Sequence, residues 1–394
     1  MGSTVPNEDV SILVKQLSTI KASNIQDEAA RKSLFEAARN ATFALETPGD
    51  TIQRITHASL QTTMARIASD LALFEILSRE DNRVLNTKQL AEITTADEVL
   101  LGRLLRYLAS VGMIEEVGEN QWLGTETTKT LSVPGLRAGI YHNHDMIMPC
   151  WQALPKFLAD TKYQNPTDPA HCAFQEGHNT EQMAFQWALS VPSRFDNFNL
   201  WMAATHEGQN TFLDVYPFEK ELCHGLKPET PLFVDVGGGI GQQCLALKQK
   251  FPHLSGRVVN QDLPPAIAQA LPCEGVEHTV HDFTTKQPIE GARAYYLRNI
   301  MHDYPDDKCI IILRLIMDVM DKDSVILIDD MVLPNQGAHW RQTQLDLLVM
   351  AGLAAMERTE RQWYSMLDAA GLKVKQIYTY TPELRDSIIA AVPR

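Results

Sequence analysis

The stretch Leu232-Phe-Val-Asp-Val-Gly-Gly-Gly-Ile-Gly241 constrains this chain more than any other. A run of branched apolar residues reads as a buried strand, four glycines break it, and Gln242 to Lys250 read as a helix. Glycines at a strand-to-helix turn reach backbone conformations closed to other residues and leave no side chain between main chain and ligand. Gly237, Gly239 and Gly241 are therefore expected to cradle a cofactor. A dinucleotide site needs G-x-G-x-x-G with pyrophosphate on the helix N-terminus. Here the turn runs G-G-G-I-G-Q, so the last spacing fails, and Asp235 would repel a phosphate. A ribose is still expected, because Val258-Val-Asn-Gln-Asp262 reads as the next strand ending in a carboxylate suited to vicinal hydroxyls.

From Pro231 onward, expected strands at 232–236, 257–261, 276–280, 294–298, 324–329 and 373–379 alternate with helices at 241–250, 264–270, 306–320, 338–354 and 359–370. That alternation specifies a doubly wound α/β sheet. Its ligand belongs at the carboxyl ends of the strands, where Gly237, Asp262, Asp282, Arg298 and Asp330 all fall.

Upstream, residues 8–45 carry helical periodicity with mixed charge, like an arm, and Glu46-Thr-Pro-Gly-Asp50 reads as a turn. An apolar stripe of Met64, Ile67, Leu71, Leu73, Ile76 and Leu77 opens three helices, followed by short strands at Met113-Ile-Glu-Glu-Val and Gln121-Trp-Leu-Gly. Helix, helix, helix, wing is the order of a winged-helix unit. Its third helix offers only Arg103 and Arg106, and the net charge of −14 leaves no basic footprint for phosphates. Residues 1–125 are thus expected to dimerise, with no nucleic-acid partner. Residues 126–215 form a helical connector rich in His, Met and aromatic side chains that could wall a flat, apolar substrate, and residues 216–394 form the catalytic domain. The six cysteines have no metal-ligand spacing and read as reduced thiols, and no apolar run is long enough to span a bilayer. A cytoplasmic protein with no metal and no membrane partner is expected.

The chemistry localises to Arg298-Asn-Ile-Met-His-Asp-Tyr-Pro-Asp306. His302, just beyond a strand at the ligand-bearing edge, is the natural base near neutral pH. Asp303 and Asp306 read as acids complementing the next helix dipole. A base also needs a partner on its second nitrogen, and Asp330 and Glu357 are the candidates.

These blocks, with Asn-Gln-Asp-Leu-Pro, His-Asp-Phe, Ile-Asp-Asp-Met-Val-Leu-Pro and Met-Glu-Arg-Thr-Glu, resemble the ordered blocks of S-adenosylmethionine-dependent class I O-methyltransferases. The group contains plant caffeate-type enzymes and fungal enzymes that methylate phenolic polyketides. The resemblance covers about residues 60 to 385. It implies a Rossmann-like catalytic domain, a homodimer, S-adenosyl-L-methionine as cofactor and a small phenolic substrate. It places Gly237 and Gly239 under the methionine portion, Asp262 on the ribose, and Asp282 and Phe283 at the adenine; Asp235, Leu263 and Arg298 complete the cofactor set. His302 stands where the family has its base, flanked by Asp330 and Glu357, and Asn143, Met148, Phe198, Met202 and Met350 fall at substrate-lining positions. One departure is Asp330, where the family usually has Glu. Two other readings remain open: a cofactor-dependent cyclase or pericyclase using His142, His144 and Arg298, and a winged-helix regulator that senses the cofactor.

Overall fold

The computed structural model describes residues 7–79, 83–206, 208 and 210–394. The chain divides into two compact units after Ile67. In the first, helices span Asn7–Thr19, Glu28–Leu45 and Pro48–Thr56, and a fourth begins at Ala58. Asp27 caps the second of these by accepting from the Ala29 and Ala30 amides. The turn expected over residues 46–50 is shorter than its composition suggested. Thr47 and Asp50 form a reciprocal capping box, and Pro48 starts the helix where its missing N–H has no partner to lose.

The second unit opens with the helix Leu73–Leu77, β1 (Leu85–Asn86), helices Thr87–Thr94 and Glu98–Ser110, and strands β2 (Ile114–Gly118) and β3 (Gln121–Gly124). The strands pair antiparallel in the order β1-β3-β2. Of the expected stripe, Leu73, Ile76 and Leu77 are buried and Met64, Ile67 and Leu71 half-buried, while Leu101, Leu105 and Leu108 of the Glu98–Ser110 helix are buried as well. Trp122 is fully buried and donates its indole N–H to Thr87 Oγ1 at 2.9 Å. Truncating such a residue to alanine costs about 3–5 kcal/mol.

Helices Pro134–His142, Met148–Asp160, Ala173–His178, Ala184–Leu189 and Pro192–His206 follow. Between the first two, Asn143–Ile147 is a π-helical turn that periodicity did not foretell. Pro149 lacks the N–H that an α-turn would need there, and the Met148 amide donates instead to the Asn143 carbonyl five residues back. Cross-helix contacts hold the wide turn: His178 Nε2 lies 2.8 Å from the Met146 carbonyl.

The remainder is a seven-stranded sheet of β4 (Pro231–Val236), β5 (Arg257–Asp262), β6 (Val276–Val280), β7 (Ala294–Arg298), β8 (Val325–Met331), β9 (Leu372–Thr379) and β10 (Asp386–Pro393). Its order is β6-β5-β4-β7-β8-β10-β9, with β6 to β8 parallel and β10 antiparallel to both neighbours. Period-two alternation feeds two cores, Val234, Leu297 and Ile328 on one face and Phe233, Tyr296 and Leu327 on the other. The sequence reading missed β10. Its Ala390 and Ala391 have poor strand propensity, yet both are buried because small side chains fit where both faces are covered. No helix among the described residues is long and apolar enough to cross a membrane.

Candidate active site

The glycine turn follows β4 directly, with Gly237, Gly239 and Gly241 at φ of 73°, 58° and 89°. All three are left-handed values that disfavour a side chain. A Cβ on Gly238 would collide with the carboxylate of Asp235 and the amide oxygen of Asn260, whereas one on Gly239 would meet nothing within 4 Å. The turn therefore rests on Asp235 and Asn260 and opens outward at Gly239. Asp235 supports the turn from beneath; burial pushes its carboxyl up to about 7, with nearby Arg298 opposing.

Asp262, the last residue of β5, ties this turn to the next loop. One carboxylate oxygen accepts from the Gly239 amide at 2.7 Å and the other from the Leu263 amide at 2.6 Å. Leu263 itself is exposed. Asp282, beyond β6, accepts from the Thr284 hydroxyl and amide at 2.7 and 2.9 Å, bonds that hold its carboxyl below the usual range. Phe283 packs edge-on against Tyr304 with ring centres 5.8 Å apart, and together with Ile300 it borders Gly237. Loop, acid and aromatic ledge thus meet at one edge of the sheet.

Beside this ledge, His302 lies in a tight turn at Met301–Asp303. Its Nδ1 lies 2.8 Å from Glu357 Oε1, and its Nε2 lies 3.5 Å from Asp303 Oδ1. Burial alone would lower the affinity of His302 for a proton. Glu357, Asp303 and Asp330 outweigh it and hold the imidazole well above its ordinary value. Glu357 is set in place by its own amide, which donates to Asp346 Oδ1 at 3.0 Å. Asp330 is buried but neither carboxylate oxygen has a hydrogen-bond partner, and burial drives its carboxyl well above the usual range. Only one of the two expected flanking acids, Glu357, bonds to His302.

Three contributors escaped the sequence reading. Asp303 does not cap the following helix, whose N-cap is Pro305; it faces His302, and burial pushes it up to about 6. Asp346 positions Glu357. Arg358 is fully buried and donates to the Met301 and Tyr304 carbonyls, each at 2.8 Å, and to Asp306 Oδ1 at 2.8 Å. It braces both ends of the His302 turn. The signal was a cation beside a candidate acid, in a block from which only Glu357 was drawn.

The expected substrate-lining residues are placed as follows. Asn143 begins the π-helical turn and donates to the Gly139 carbonyl at 2.8 Å. Met148 is buried at the start of the next helix, and Met350 is half-buried in the helix Trp340–Leu353, which touches both the π-turn and the His302 turn. Phe198 and Met202 lie one helical turn apart on Pro192–His206, with Phe198 5.5 Å from the ring of His142. The Nδ1 of His142 is buried without a partner, and desolvation lowers its pKa to about 4.

Comparison with known proteins settles the family. Residues 225–373 match the O-methyltransferase domain, and residues 54–133 match the O-methyltransferase dimerisation domain. O-methyltransferase lepI of Aspergillus flavus is 40% identical over 94% of this chain and 95% of its own length. The chain belongs to the S-adenosylmethionine-dependent O-methyltransferase family. Two solved structures, each 38% identical and covering 99% of this chain and 100% of their own, sharpen the likeness: one titled "A Pericyclic Reaction enzyme", TM-score 0.89, and one of LepI complexed with SAM, TM-score 0.90.

The O-methyltransferase family's cofactor fits the residues present. S-adenosylmethionine carries a ribose and an adenine but no phosphate. The open backbone at Gly239, the carboxylate of Asp262 and the ledge of Phe283 supply room, a hydroxyl acceptor and an apolar surface in that order along the sheet edge.

Proposed function

We propose that this chain methylates a phenolic hydroxyl of a small aromatic, polyketide-type metabolite, with His302 as general base and with the family's cofactor held by Gly237, Gly239, Asp262, Leu263, Asp282, Phe283 and Arg298. The observation that carries the reading is the His302–Glu357 pair, 2.8 Å from Nδ1 to Oε1 at the ligand-bearing edge of the sheet. With Nδ1–H held by Glu357, Nε2 is the nitrogen left to take a proton. S-adenosylmethionine supplies an electrophilic methyl group when bound. A phenol holds its proton with a pKa of about 10, so a base of raised proton affinity is suited to remove it. Arg358 keeps the imidazole in place by bracing the Met301 and Tyr304 carbonyls. Asn143, Met148, Phe198, Met202 and Met350 would line the substrate, and the dimerisation domain would make the enzyme a homodimer.

A second reading is a cofactor-dependent pericyclase or cyclase. The relative whose structure is titled for a pericyclic reaction supports it, as does the failure of Asp330 to engage the base. His142, His144 and Arg298 are the polar groups available to that chemistry.

Mass spectrometry of products separates the two. The protein is incubated with S-adenosylmethionine and a panel of phenolic polyketides, alongside His302→Ala. A gain of one methyl group, lost in the variant and matched by S-adenosylhomocysteine, supports the transferase. A product of unchanged mass with no S-adenosylhomocysteine supports the second reading.

A further inference from the structure

Arg298 poses an electrostatic problem for the site just proposed. It ends β7 on the face of the sheet that carries Asp235, its side chain only 18% exposed, yet the cofactor of the family bears a positive sulfonium. A buried guanidinium beside such a site opposes a cationic ligand unless something balances it.

The balancing group is visible one strand over. Asp329, 1% exposed, accepts from the Tyr296 hydroxyl and lies 3.7 Å from Arg298 Nε through the same oxygen, and its other oxygen accepts from the Tyr380 hydroxyl at 2.6 Å. Two hydroxyl donors and one nearby cation converge on the two carboxylate oxygens, contacts that favour the ionised acid. Burial dominates and holds the Asp329 carboxyl above its ordinary value, while Arg298, Tyr296 and Tyr380 limit the rise. Both phenols are themselves held above their ordinary range, chiefly by desolvation, so they stay protonated donors. Tyr380 is delivered by the hairpin of β9 and β10, its amide donating to the Asp386 carbonyl at 2.9 Å. The other acids within electrostatic reach of Arg298 are Asp386, which accepts from Thr381, and Asp235 beneath the glycine turn.

We infer that Asp329, clasped by Tyr296 and Tyr380, is the buried counter-charge to Arg298 that lets the glycine-turn site accept the cationic cofactor without a penalty its neutral demethylated product would escape. Tyr380 is then a positioning residue for cofactor charge selection. The inference rests on the proposed cofactor role of the glycine turn and Arg298.

The test is isothermal titration calorimetry of S-adenosylmethionine and S-adenosylhomocysteine, which differ by the methyl group and its sulfonium charge. Wild type, Asp329→Asn, Tyr380→Phe and the double variant Arg298→Met/Asp329→Asn are compared. Asp329→Asn is expected to raise the ratio of the two dissociation constants about tenfold against S-adenosylmethionine, since it leaves Arg298 unbalanced. Tyr380→Phe should move the ratio the same way by about threefold, and it keeps the question answerable if Asp329→Asn does not fold. The double variant should restore the ratio, because cation and anion are removed together. Equal weakening of both ligands, or no change in the ratio, would overturn the inference by reducing the cluster to a structural role. Asp262→Ala separates the underlying reading: if wild type binds neither ligand, or Asp262→Ala binds both as well as wild type, the cofactor site itself is wrong.

Discussion

Asp329 and Asp330 are neighbours in β8, alike in chemistry and in burial, and the molecule treats them oppositely. Asp329 points to the face carrying Tyr296 and Tyr380 and receives donors on both oxygens. Asp330 points to the face carrying His302 and receives none. A strand turns successive side chains to opposite faces, so one residue of register separates a satisfied acid from an orphan. A buried charge takes its meaning from the groups its face presents, and here the orphan is the one nearer the proposed chemistry.

The largest way to break that contrast is to remove His302, the proposed base. His302→Ala should lower kcat/KM for methyl transfer by roughly 10²–10⁴-fold, the range of a positioned general base, as followed by product mass spectrometry. A variant retaining wild-type turnover would move the chemistry away from this turn.

Next comes the brace. Arg358→Met strips a donor from the buried Met301 carbonyl and from the part-buried Tyr304 carbonyl and removes the partner of Asp306, so a loss of about 2–4 kcal/mol in denaturant unfolding is expected. A loss below about 1 kcal/mol would mean that packing alone holds the His302 turn.

Glu357→Gln tests which acid governs the imidazole. Burial lowers the proton affinity of His302, and Glu357 leads the groups that raise it. Removing that negative charge lowers the pKa, so neutral His302 forms from a lower pH. The rising limb of kcat/KM should therefore shift toward acid while its plateau falls roughly 10²-fold through loss of the orienting bond. An alkaline shift would contradict the assignment.

Asp330→Glu sharpens the comparison by lengthening the orphan toward His302. If reach is what it lacks, methyl transfer should rise severalfold, on the order of 1 kcal/mol of barrier, in single-turnover assays.

The smallest effect concerns stability. Because the folded pKa of Asp330 lies above its unfolded value of about 3.9, the folded state binds the proton more tightly, and its stability falls as pH rises above about 4. Asp330→Asn removes that penalty. Its thermal midpoint should exceed wild type at pH 7 by the equivalent of about 1 kcal/mol, and the gap should close at pH 4.

The sequence by itself determined much of this. The doubly wound sheet, the glycine turn, the acids at the end of β5 and beyond β6 and the position of His302 beyond β7 were legible because each depends on local signals: apolar runs, backbone freedom at glycine, and the rule that ligands meet the carboxyl ends of parallel strands. The family resemblance rested on those same blocks. What escaped depended on contacts between distant segments. β10 is a strand because β8 and β9 cover its edges, against the propensity of its alanines. Arg358 meets the Met301 carbonyl across 57 residues of chain, and Tyr380 meets Asp329 across 51, separations that no local pattern encodes. The tertiary structure alone chose between the two acids of β8. Alternation requires them to part, but which face carries donors is fixed only when β7, β9 and the Glu357 segment close around the strand.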